Sequence, residues 1–310
     1  MARHPRPQPR TARPAWPRPW TAWPASTTTW KCARADLHPH RTEEPLSSGS
    51  FFLCRAPHGR LKSGAMRILL TSDLHYKLRQ YDWLFQRAAD FDAVVVAGDH
   101  LDVVSAVPAE VQVAALSTTL ARLSALVPVL ACSGNHDLNT RNAAGEKTAD
   151  WLDGLRGPRL AVDGDSVCIG GTLFTVCPWW DGPHAQDAVR RQLEAAALRR
   201  GEAAAGRWVW VYHAPPEGGL SWTGRRHYGD PLLPELVGRL RPSAVLCGHI
   251  HEAPFKAGGA WAERIGGTWL FNAGRQIGDV PARIEIDLAA GTATWISLAG
   301  VETRALEQLQ

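Results

Sequence analysis

Residues 66–76 read MRILLTSDLHY. A short apolar run of strand composition, residues 67–72, leads directly into Asp73-Leu74-His75, a carboxylate and an imidazole two positions apart. The same ending recurs along the chain. AVVVAG (93–98) runs into Asp99-His100, VPVLACSG (127–134) into Asn135-His136-Asp137, RWVWVY (207–212) into His213, and AVLCG (244–248) into His249-Ile250-His251. Five apolar runs thus deliver polar, ligand-type side chains at their C-terminal ends, the edge where open α/β sheets form binding sites. Gly98, Gly134 and Gly248 stand at three of these exits, where the backbone must turn sharply.

Each residue has an ordinary reading when taken alone. An Asp after a strand is commonly a turn former or helix N-cap. A lone His is more often a satisfied surface or core residue than a ligand, and an Asn after Gly belongs to turns. Those readings fail jointly, because one coincidence would have to recur at five exits. The collected set is Asp73, His75, Asp99, Asn135, His213, His249 and His251. Seven N/O ligands without a thiolate exceed what one tetrahedral zinc needs. They suit two divalent metals sharing a bridging carboxylate, and mixed imidazole–carboxylate ligation fits Mn, Fe or Zn better than Ca or Mg.

The remaining pattern is that of a mixed α/β chain. Further strand-like runs are TLFTVCPWW (172–180), TWLFNAG (268–274), ARIEIDL (282–288) and TATWISL (292–298). Between many of the runs lie helix-like stretches, clearest at 81–90, 108–126 and 185–205. Strands alternating with helices predict βαβ units. DGDSVCIGGTLF (163–174) has a hairpin pattern, and the last three strand-like runs lack intervening helices, so part of the sheet system is expected to be antiparallel. One α/β domain over residues 66–300, followed by a tail at 301–310, accounts for this organisation.

Charge is divided unevenly. The chain carries a net +4, but residues 1–65 hold 11 Lys/Arg and 3 Asp/Glu, so the remainder is net acidic. The body therefore offers no electrostatic case for a nucleic-acid partner. Residues 1–65 also hold 10 of the 22 prolines, a density that opposes helix and sheet. They contain no apolar segment long enough for a signal peptide or membrane span. Only Met1 and Met66 are methionines. Met66 directly precedes the first strong strand pattern, so it is the expected natural start, with 1–65 an upstream translated stretch; a disordered or targeting tail is the alternative. None of the six cysteines has CxxC spacing. Reduced, buried thiols in a cytoplasmic protein are expected.

The ordered blocks D-x-H, GD, GNHD, H and GHxH resemble the calcineurin-like metallophosphoesterase superfamily, over nearly all of residues 66–275. The resemblance implies a two-sheet α/β/β/α sandwich with a dinuclear centre along one edge. On the matching positions, Asp73, His75 and His251 would hold one metal, Asn135, His213 and His249 the other, and Asp99 would bridge them. His136 would face the substrate outside the metals, oriented by Asp137. Val103, not an Arg-Gly pair, follows Asp102, and Asp137, not Glu, follows His136, which departs from the serine/threonine phosphatase branch. Asp102 also stands where purple acid phosphatases carry Tyr. What remains is similar to bacterial phosphodiesterases, nucleases and other phosphoesterases. The implied activity is hydrolysis of a small-molecule or nucleotide phosphoester by a metal-held hydroxide, a phosphodiesterase ahead of a phosphomonoesterase. A non-catalytic scaffold of the same fold would be expected to have lost ligands or His136, and none is missing.

Beyond the motifs, the loop HAPPEGGLSWTGRRHYGD (213–230) starts at the active edge. Arg225 and Arg226 are its candidate phosphate contacts, with Trp222 or Tyr228 available to stack on a base; a loop packed by its own aromatics is the alternative. Trp179-Trp180 also ends a strand and lines either the cleft or the core. FNAGR (271–275) is expected to be a structural turn, and no role falls to His100 or His184.

Overall fold

Alternation along residues 67–71 shows how the layers stack. Ile68 and Leu70 join one apolar cluster and Leu69 another, and all three are buried. Side chains on a strand point alternately to opposite faces, so a strand that is apolar on both faces is covered on both. A computed structural model of the chain describes residues 51–52, 66–202 and 205–307. It contains two seven-stranded sheets. In spatial order, one takes Gly300–Ala305, Thr292–Ser297, Arg283–Asp287, Arg67–Thr71, Ala93–Ala97, Val129–Cys132 and Leu160–Val162. The other takes Phe51–Phe52, Ser166–Ile169, Thr172–Val176, Arg207–Val211, Ala244–Cys247, Thr268–Asn272 and Ala262–Ile265.

Ile68, Leu70 and Val95 from the first sheet meet Phe174, Val209, Leu246 and Phe271 from the second in a shared core. On the outer face of the first sheet, Leu69, Val94 and Val96 pack with Leu84 of helix α1 (Leu78–Arg87), Leu116, Leu120 and Leu123 of α2 (Ala109–Leu126) and Trp151 of α3 (Asp150–Asp153). On the outer face of the second, Trp208, Trp210 and Val245 pack with Leu193 of α4 (Pro183–Glu202) and Leu233 and Leu236 of α5 (Leu232–Leu240). The layers are helix, sheet, sheet, helix, as the sequence resemblance implied. Three central strands of the first sheet, at 67–71, 93–97 and 129–132, run parallel. Those at 172–176, 207–211, 244–247 and 268–272 run parallel in the second.

Four features differ from the sequence pattern or were not visible in it. The strand Gly300–Ala305 pairs antiparallel with Thr292–Ser297, so the sheet runs past the boundary drawn at residue 300. Composition predicted no strand before residue 66, yet Phe51 and Phe52 pair in parallel with Ser166 and Val167; the other positions of the predicted leader lie outside the described residues. Thr268–Asn272, grouped by sequence with the antiparallel C-terminal strands, instead runs parallel to Ala244–Cys247. Helix α5 was missed because Pro231 and Pro234 punctuate a nine-residue amphipathic segment. The expected hairpin at 163–174 is present, turning at Gly170-Gly171 with φ of 57° and 78°, the conformation a two-residue hairpin turn requires.

The FNAGR turn is structural. Asn272 is fully buried, its Nδ2 donating to the Leu220 and Ile250 carbonyls at 3.0 Å each and its Oδ1 accepting from Gly274 N at 2.9 Å. It fastens the loop carrying His249 and His251 to the neighbouring segments. Asn272→Ala orphans three buried backbone groups and is expected to cost about 2–4 kcal/mol, a fall in Tm of roughly 5–10 °C by thermal melting.

Candidate metal centre

The five strand exits meet at one edge because their backbones are stitched together. Asp73 N donates to Gly98 O at 3.0 Å, His75 N to Asp99 O at 3.0 Å and Tyr76 N to His100 O at 2.8 Å. Asp73 reaches across to the last exit, both carboxylate oxygens accepting from His249 N at 3.0 and 3.1 Å. Asp99 Oδ1 accepts from His136 N at 2.9 Å. The turns are strained. Of six non-glycine residues with positive φ among the described residues, four are candidate ligands: Asp73 (56°), His75 (41°), Asp99 (54°) and His249 (71°). Left-handed backbone at such residues costs about 1–3 kcal/mol each and gathers at functional sites. Glycine is needed where the exits touch: a Cβ on Gly98 would overlap the His213 ring, and one on Gly134 would lie 2.7 Å from His213 Nε2.

The side chains form two overlapping groups that could each hold a cation. Ligand atoms of Asp73, His75, Asp99 and His251 lie within 4.8 Å of one another, as do those of Asp99, His213 and His249. Asp99 belongs to both. Its Oδ2 is 3.7 Å from His75 Nε2, 3.5 Å from His213 Nε2 and 4.0 Å from His136 Nε2. His75 and His251 point their Nε2 atoms at each other at 3.0 Å, and His251 Nε2 lies 3.3 Å from Asp73 Oδ1. Asn135 stands on the third exit next to His136, whose backbone N–H is held by Asp99.

The donor set fits divalent metals. Seven buried side-chain polar atoms lack a hydrogen-bond partner among the described residues, and four of them are His75 Nδ1, Asn135 Oδ1, His136 Nδ1 and His213 Nε2. Buried polar atoms are ordinarily satisfied; of these four, Asn135 Oδ1 and His213 Nε2 belong to candidate ligands and are open to a cation, whereas His75 turns its Nε2 toward Asp99. His213 shows the expected outer-shell arrangement: Nδ1 donates to the Ala97 carbonyl at 2.7 Å, leaving Nε2 free to ligate.

Charges at the centre compensate one another. Burial works against the Asp99 carboxylate, yet the adjacent His213 holds it below the usual range. Asp73 is likewise buried, and the His251 hydrogen bond holds it low. Burial would depress His213, but Asp99 beside it raises it to about 9. Burial dominates at His75 and His249 and lowers each to about 4.

The role predicted for Asp137 reads differently in the structure. Asp137 is fully buried, but its oxygens accept from Leu101 N and Gly134 N, both at 2.8 Å, bracing two exits instead of orienting His136. Asp102 is a second carboxylate near the His136 ring, grouped with it and His75 within 4.8 Å, beside the closer Asp99. Its signal in the sequence was its place three residues after Asp99, on the turn Asp99 begins. Arg225 and Arg226 are exposed on a small hairpin closed by the Trp222–His227 pairing, with Arg226 stacked over Tyr228 at 4.3 Å. Neither has a contact with the seven candidate ligands among the described residues. His100 is structural, bridging the Tyr81 hydroxyl and the Cys132 carbonyl at 2.9 and 3.0 Å.

The chain belongs to the calcineurin-like phosphoesterase family, whose model matches residues 66–253. It is accordingly a metal-dependent hydrolase of phosphoesters. No curated protein gives a significant match to the sequence. Among solved structures, the chain is similar to TT1561 of Thermus thermophilus, at 16% identity and a TM-score of 0.49 over 78% of this chain and all of that one. It is similar to purple acid phosphatase PPD1 of yellow lupin seeds, at 13% identity and 0.47 over 80% of this chain and 53% of that one. It is also similar to Yfce, an E. coli phosphoesterase, at 15% identity and 0.37 over 78% of this chain and all of that one.

In the metal-free protein at pH 7, His213 carries a proton that a metal must displace, whereas His75 and His249 are already neutral. Metal uptake is therefore expected to release about one proton or more per chain at pH 7. The release should decline as the pH passes about 9, where His213 loses its proton unaided, and calorimetry in buffers of different ionisation enthalpy reads it.

Proposed function

We propose that the chain is a dinuclear-metal phosphodiesterase. Asp73, His75 and His251 hold one ion, Asn135, His213 and His249 the other, and Asp99 both. The observation that carries this reading is the Asp99 carboxylate, common to both clusters of ligand atoms. The imidazole–carboxylate donor set favours Mn, Fe or Zn. Bound there, the ions supply Lewis acidity to phosphate oxygens and lower the pKa of water. The substrate is a small phosphoester or nucleotide. Four described cysteines are unpaired and three of them buried, which supports a reducing, cytoplasmic setting. No helix among the described residues is long and apolar enough to cross a membrane.

The protein's own residues then divide the work. His136 is 25% exposed, whereas Asp99, His75 and His213 are almost sealed from solvent. His136 can therefore meet a substrate while its backbone N–H stays fixed on Asp99. As the water oxygen bonds to phosphorus and loses its proton to solvent, the ester P–O bond breaks and the departing oxygen takes a proton from His136, which regains one from solvent. Asp102 lies in the same neighbourhood, its ligand atom within 4.8 Å of those of His136 and His75.

Two expected outcomes test this. Bis(p-nitrophenyl) phosphate should be hydrolysed faster than p-nitrophenyl phosphate; a monoester rate about tenfold above the diester rate would instead favour a phosphomonoesterase. His136→Ala should keep both metals by elemental analysis but lose about 10²–10⁴-fold in kcat on diesters with poor leaving groups, and markedly less when p-nitrophenol departs. Loss of a metal would make His136 a ligand.

A further inference from the structure

Trp179 is the aromatic side chain against the metal centre that the reaction does not use. Its ring centroid lies 5.2 Å from His249 and 5.6 Å from His213. It stands at a strand exit of its own, just beyond Thr172–Val176, and its backbone N–H donates to Ser133 Oγ at 2.8 Å. Trp180 stacks against it with the rings 6.4 Å apart and inclined by 12°. Trp180 is fixed in turn by donating from Nε1 to the Tyr212 hydroxyl at 2.8 Å, and that hydroxyl is bonded to Asp230. The result is a rigid, backed indole that remains only half-buried beside two candidate ligands.

A partly exposed indole is an unusual neighbour for a charged centre unless something flat covers it. Tryptophan offers a large contact area with little side-chain entropy to lose, and stacking on it accepts any planar ring. Position decides which part of a substrate it meets. The His136 ring is 4.5 Å from His75, whereas Trp179 adjoins His213 and His249. Trp179 thus flanks the His213–His249 side of the centre, and His136 the His75 side.

We propose that Trp179 is a substrate-binding platform for a planar aromatic group, a nucleobase or an aryl ring, carried on the ester arm that stays attached to phosphorus. This rests on the diesterase reading above, because a monoester has no second arm. It defines the substrate class as diesters with an aromatic retained arm.

The test holds the leaving group constant and varies the retained arm. Methyl p-nitrophenyl phosphate, bis(p-nitrophenyl) phosphate and thymidine 5′-(p-nitrophenyl phosphate) are compared in the metal-loaded wild type, Trp179→Ala and Trp179→Phe. The aromatic arms should lose about 10–100-fold in kcat/KM in Trp179→Ala, mostly through KM, while the methyl arm changes less than about threefold. Trp179→Phe should recover much of the loss. A larger fall for the aryl than the thymidine arm identifies an aryl site, and the reverse a nucleotide site. Equal losses for all three arms would make Trp179 a wall of the metal centre and overturn the proposal. A binding measurement separates this from failure of the diesterase reading. Thymidine 5′-monophosphate should bind Trp179→Ala about tenfold more weakly than wild type by calorimetry, with inorganic phosphate binding unaltered. If no diester is hydrolysed yet that difference is present, the platform stands and the reaction assigned to it falls. If diesters are hydrolysed without any dependence on Trp179, the platform falls alone.

Discussion

The Asp99 carboxylate is the point on which the rest of the site depends. Its two oxygens do different jobs: Oδ1 fixes the His136 backbone, while Oδ2 faces the rings of His75, His136 and His213. Four of the five strand exits are referred to it, counting its own, and the fifth is tied in through Asp73. A buried carboxylate among buried imidazoles would be costly if left unpaired. In the metal-free protein, a protonated His213 offsets that cost. Two divalent ions would replace this makeshift neutralisation, so metal binding and stability of the edge are linked.

The scaffold is built to tolerate what the edge demands. Left-handed backbone at Asp73, His75, Asp99 and His249 would not persist in a loosely held loop. Here the strained residues follow closely on strands whose side chains are almost wholly buried on both faces. Cross-exit hydrogen bonds then fix their N–H groups. The energy stored at the turns is small beside that of the three apolar clusters beneath them, and it aims seven side chains without help from long loops.

Much of this was legible in the sequence because it obeys periodic rules. Strands buried on both faces read as continuous apolar runs, and their polar endings stand out against them; that is why an α/β domain and seven candidate ligands could be named from residues 66–275, while the two-sheet sandwich came from the resemblance of the ordered motifs. What escaped was set by tertiary contact. Nothing local distinguishes Asp137, whose carboxylate bonds Leu101 N and Gly134 N, from Asp102, whose carboxylate lies by His136. Arg225 and Arg226 sit in a loop that leaves the active edge, but the hairpin between Trp222 and His227 keeps them exposed. The strand Gly300–Ala305 is exposed along its length and has no apolar pattern to announce it.

The central claim is that one carboxylate serves two metals. Asp99→Asn keeps the size and hydrogen-bonding reach of that side chain while removing its charge, so metals per chain in this variant, measured by elemental analysis after reconstitution, is the most direct test. The account predicts two metals in the wild type and loss of most of both in the variant, together with hydrolysis. Retention of two metals per chain with near-normal turnover would contradict it.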